Sequence, residues 1–169
     1  TTTLINWGET YEYVLTDDYN YIQTSKPIYL WHASGSGCSL GGAQVPPVFC
    51  VGTYNTAFSR ANSDSLGLFL YTRAGFEGMF ALNGNGALIP AGAFTNVPGT
   101  SGAFKMALIH YNTTEVPVGS YNEVTNSGDV FGLGVINGAN GSGAAYAYLS
   151  EFASYPFVDA GADDTVCAN

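Results

Sequence analysis

Nowhere in this chain do apolar residues recur at helical spacing over twelve residues. They come instead in short runs rich in Tyr, Val, Ile, Phe and Leu, each cut off by Gly, Asn, Pro or Ser. Such runs form strands, because branched and aromatic side chains suit a pleated surface and the interrupting residues suit tight turns. Residues 8–15, 25–32, 52–58, 66–72, 76–82, 103–111, 130–136 and 145–152 are the main strand candidates. Helix and strand compete only over 103–111, and the flanking Gly102 and Asn112 favour the strand. An all-β fold follows: an antiparallel β-sandwich or partly closed barrel of about 8–9 strands with Gly-rich turns.

The clearest local signal is Asn83-Gly84-Asn85-Gly86. A primed hairpin turn needs positive φ at both central residues, and Asn-Gly meets that demand at least steric cost. Residues 87–89 are then expected to return as a short strand, and 116–128 to form a turn-rich connection. The segments 130–136 and 145–152 are expected to pair as a core hairpin. We take 1–155 as one domain. Residues 156–169, where Asp159, Asp163 and Asp164 sit among small residues, read as a linker into a following repeat domain.

The formal net charge is -9, from 13 acidic and 4 basic residues. A phosphate backbone is repelled by such a chain, so nucleic acid is excluded as a partner. The same field opposes docking on an anionic bilayer, and no apolar run reaches membrane-spanning length, so no direct membrane insertion is expected. Charged residues make up only 10% of the chain, so Ser, Thr, Asn, Tyr and Gly must keep it in solution. That balance points to an extracellular, cell-surface module, whose export signal or anchor is expected outside this sequence.

Three cysteines, Cys38, Cys50 and Cys167, leave an odd count. Cys38 and Cys50 bracket a Gly- and Pro-rich stretch with no regular period. A disulfide there, closing about a dozen residues, contributes on the order of 3 kcal/mol; two unpaired thiols are the alternative. Cys167 is assigned to the following domain.

Catalytic patterns are weak. His32 and His110 have no Cys or second His at metal-ligand spacing, and the Gly-x-Ser-x-Gly elbow is missing. Glu9 with Glu12, or Glu77 with Glu151, could pair across a sheet, but any chain with this many acids offers such pairs. The turn of Asp17, Asp18 and Asn20 is the better candidate, as a calcium site built from hard oxygen donors. Among the many aromatics, Tyr29, Trp31 and Tyr54 are candidates for a face that stacks on sugar rings, since Tyr and Trp combine large area with low ordering cost. Asn112-Thr113-Thr114 and Asn140-Gly141-Ser142 match the glycosylation acceptor pattern.

Several segments in order resemble a known family. They are the Ser25-Lys26-Pro27-Ile28 run, the Cys38 to Cys50 stretch around Val45-Pro46-Pro47, residues 80–84, Gly92-Ala93-Phe94, residues 97–100, and 131–138 followed by Tyr146 and Tyr148. Together they look like the IgGFc-binding-protein-like domains of large Bacteroidota surface adhesins. The tail from Asp159 to Cys167 resembles the opening strand of a PKD-like or Ig-like repeat. The resemblance implies a multidomain cell-surface protein exported by a type IX-like route, with a role in gliding motility or cell adhesion. It carries no catalytic or ligand-contact residues onto this chain.

The reading is therefore a non-catalytic adhesin module that binds a surface glycan or glycoprotein through loops and exposed aromatics and touches neighbouring modules of the same chain. A structural spacer with no ligand of its own is the main rival, and a carbohydrate-active enzyme the third.

Overall fold

A computed structural model gives the fold and describes residues 3, 5–15, 17, 19–26, 28–36, 39–48, 51–139 and 143–148. Its architecture is all-β and antiparallel. In chain order the strands are β1 (Trp31–Ser36), β2 (Ser39–Gln44), β3 (Asn55–Ser59), β4 (Leu66–Arg73), β5 (Phe80–Leu82), β6 (Thr95–Asn96), β7 (Phe104–Tyr111), β8 (Tyr121–Asn126), β9 (Phe131–Ala139) and β10 (Gly143–Tyr148). They form a five-stranded sheet β10-β9-β4-β7-β6, a three-stranded sheet β3-β8-β5 and the separate hairpin β1-β2. The larger two sheets make a sandwich, not a closed barrel.

The two-residue period of a strand explains how the sandwich closes. On β4, Leu66, Leu68 and Leu70 are fully buried on one face, beside Ala107 and Tyr111 of β7 and Leu133 and Val135 of β9. Phe58, Phe80, Leu82 and Val124 of the smaller sheet complete the same core. Phe80 bridges the layers, meeting Phe131 edge-on at 5.1 Å and stacking on Phe94 at 5.2 Å. The other side of β4 carries Phe69 and Tyr71, both half-buried, so this central strand is apolar on both faces.

Asn83 and Gly84 take φ of +53° and +78°, the primed turn expected of the pair. The strand entering it is shorter than its sequence suggests. Residues 77–79 form a 3-10 turn, and only Phe80–Leu82 is extended. The segment after the turn is also 3-10 (Gly86–Leu88), so no returning strand forms at 87–89, and β5 pairs with β8 instead. Residues 116–128, expected as a connection, contain β8, the central strand of the smaller sheet. Residues 9–15 take no regular structure despite their Tyr- and Val-rich alternation. The stretch between Cys38 and Cys50 is not an irregular loop either, since β2 runs through it. Cys38, Cys50, Cys167 and the 156–169 linker lie outside the described residues, as does the core-hairpin sequence beyond Tyr148.

Two buried polar anchors fix the sheet ends. Arg60, 2% exposed, sends Nε to the carbonyl of Asn62 (2.9 Å), Nη1 to Tyr111 (3.3 Å) and Val116 (3.0 Å), and Nη2 to Ser63 (3.3 Å) and Asp64 (2.5 Å). Asn137 on β9 accepts from the Ala61 and Asn62 amides at 2.9 and 3.0 Å. Such partners are what burial of a polar group requires. Among the described residues no helix is long and apolar enough to cross a membrane.

Candidate functional site

The hairpin β1-β2 lies against β10 at the edge of the five-stranded sheet. Its register pairs Trp31 with Gln44, Ala33 with Gly42 and Gly35 with Leu40. By strand alternation these six positions share one face, and His32, Gly41 and Ala43 occupy the other. The second face is half-buried. Burial holds the His32 imidazole below its ordinary pKa, because the cationic form loses hydration there.

The first face is open. Trp31 is 68% exposed, and Leu40 is 78% exposed. The indole lies over Gly42, in the space that a side chain there would take. A Cβ on Gly42 would lie 2.6 Å from Trp31 Nε1 and 2.8 Å from Cε2 and Cζ2, so the nitrogen-bearing edge of the ring rests on the glycine backbone. In this rotamer the ring leaves no room for a side chain at position 42. The pairing runs on past the strand ends through the Val45 amide and the Leu30 carbonyl (2.9 Å), and Tyr29 follows at 92% exposure. Tyr29 and Trp31 thus lie two residues apart on one extended run.

Tyr54, also exposed, lies elsewhere: it precedes β3 of the smaller sheet, where its carbonyl accepts the Asn126 amide at 2.9 Å. Of the three aromatics singled out in the sequence, Trp31 therefore lies on the hairpin, Tyr29 two residues before it, and Tyr54 just before a strand of another sheet. Gln44, Leu40 and Gly42 escaped sequence reading because their relation to Trp31 exists only once the strands pair.

In the Asp17 turn, Asn20 Nδ2 donates to the Asp17 carbonyl at 2.7 Å, and Tyr13 Oη reaches Asn20 Oδ1 at 3.5 Å. Asn20 is thus occupied in shaping the turn. Asp18 lies outside the described residues, and among those described no group of three or more His, Cys, Asp or Glu side chains converges on a metal-sized site. His32 on β1 and His110 on β7 belong to different sheets. Glu77 accepts the Gly75 amide at 2.6 Å and lies 4.0 Å from Lys105, while Glu151 lies outside the described residues.

Compared with known proteins, the chain matches no family model, no curated protein and no solved structure.

Proposed function

We propose that this chain is a non-catalytic adhesion module of a larger extracellular surface protein, binding a glycan, free or carried on a glycoprotein, through the exposed aromatic face of its β1-β2 hairpin. The observation that carries the reading is Trp31, exposed on the hairpin and lying over Gly42, with the exposed Tyr29 two residues before it in the chain. An exposed indole offers a broad apolar ring to the C–H face of a pyranose, and with only two side-chain torsions it is ordered at low cost. Large exposed aromatics gathered on one face mark interaction surfaces more often than isolated ones do.

The resemblance of the sequence to IgGFc-binding-protein-like adhesin domains supports the same class, and the acidic, lysine-poor composition suits an extracellular setting. In this reading the module is one of several in its chain and contacts its neighbours end to end. A glycan array probed with labelled protein, with and without a calcium chelator, tests partner class and calcium dependence together. Binding that is lost in Trp31→Ala is the expected result. No binding in either condition makes the module a spacer.

A further inference from the structure

Resting on that glycan reading, we infer that the ligand of the hairpin face is a neutral pyranoside and that Gln44 is the side chain that reads its hydroxyls. Residues 27–59 contain no Asp, Glu, Lys or Arg, although the chain as a whole has 13 acids and 4 bases. The whole hairpin, with Tyr29 and Val45, falls inside this uncharged stretch. An anionic sugar, whether sialylated, uronic or sulfated, is held by convergent guanidinium or ammonium groups.

Three of the four basic residues are engaged elsewhere. Arg60 is buried with its donors on carbonyls, Arg73 is clamped on Asp129, and Lys105 lies beside Glu77. Lys26 comes five positions before Trp31, and a single flexible ammonium does not offset the field of a chain at -9.

A neutral sugar finds what it needs on the same face. Gln44 is exposed and stands directly opposite Trp31 across the ladder, which brings their Cβ atoms to about 5 Å. Its carboxamide both donates and accepts, as a sugar hydroxyl does, and adds no charge. Leu40 extends the face four residues further along β2, about 14 Å from Gln44, so the surface runs past a single ring. An oligosaccharide stacked on Trp31, bonded by Gln44 and continuing toward Leu40 fits this arrangement.

The test is a matched panel of neutral oligosaccharides and their sialylated or sulfated counterparts, titrated against wild type, Trp31→Ala and Gln44→Ala at low and high salt. We expect the neutral members to bind with a Kd independent of salt, and the charged counterparts to bind more weakly. Affinity should fall roughly tenfold or more in Trp31→Ala and several-fold in Gln44→Ala. Both side chains are exposed, and circular dichroism should show both variants folded. Charged counterparts bound as well as or better than the neutral ones overturn this inference while leaving the glycan reading in place. So does unaltered binding by Gln44→Ala. A wild type that binds neither class removes the glycan reading and this inference with it.

Discussion

Arg73 grips Asp129 with both arms of its guanidinium, Nε and Nη2 each 2.5 Å from a carboxylate oxygen. Asp129 is 1% exposed, whereas the Arg73 side chain lies half in solvent, 5.9 Å above the ring of Phe76. The pair ties the end of β4 to the loop entering β9. Arg73→Ala leaves the buried carboxylate, among the described residues, with the Val130 amide (2.8 Å) as its one remaining partner, and we expect a loss of about 2 kcal/mol, read as a lower urea midpoint. Combining Arg73→Ala with Asp129→Asn should recover part of that loss.

Arg60 answers five carbonyls with one rigid fork, and lysine has neither its planarity nor its number of donors. Arg60→Lys is expected to cost about 3 kcal/mol, measured by chemical denaturation. Stability within about 0.5 kcal/mol of wild type contradicts the anchoring role.

The Asn83-Gly84 turn separates conformational from hydrogen-bond cost. A methyl on Gly84 meets nothing within 4 Å, so Gly84→Ala pays only for positive φ, about 1 kcal/mol. Asn83→Ala also loses the bond from its Nδ2 to Asn122 Oδ1 (3.0 Å) and the Glu123 amide on its Oδ1 (2.9 Å). It should be the worse of the two, by about 1 kcal/mol.

These anchors show where sequence reasoning reached and where it stopped. Strands β4, β7 and β9 are legible because Leu, Phe, Ile and Val runs bounded by Gly leave little choice but a buried strand. Strand β8 is hidden because its inward positions include Asn122 and Asn126, residues poor in strand propensity. Asn126 is satisfied by the Phe76 carbonyl and the Gly128 and Asp129 amides, contacts that exist only in the folded molecule. The β1-β2 hairpin is hidden for another reason: Gly, Ser and Ala carry no strand signal, and residues 9–15, with a better signal, form no strand. The exposed Tyr29 and Trp31 were legible as ring-bearing candidates, but the position of the Trp31 indole over Gly42 was not.

Acid should weaken the fold through His32. Its folded pKa lies below the ordinary 6.5 because burial disfavours the cation, so the unfolded chain binds the proton more readily. The penalty is absent well above pH 6.5, grows as pH falls through that value and levels off below the folded pKa. Thermal melts of wild type and His32→Gln between about pH 7.5 and 5 should diverge with wild type losing more, whereas parallel curves rule out the buried imidazole as the cause.

The hairpin face is most directly tested by tryptophan emission. The chain has two tryptophans, Trp7 and Trp31, so in Trp7→Phe the signal reports Trp31 alone. Titration with a neutral oligosaccharide that the protein binds should shift that emission in a saturable way, with the midpoint at the Kd found by calorimetry. Binding by calorimetry with no change in Trp31 emission places the ligand elsewhere and contradicts the account.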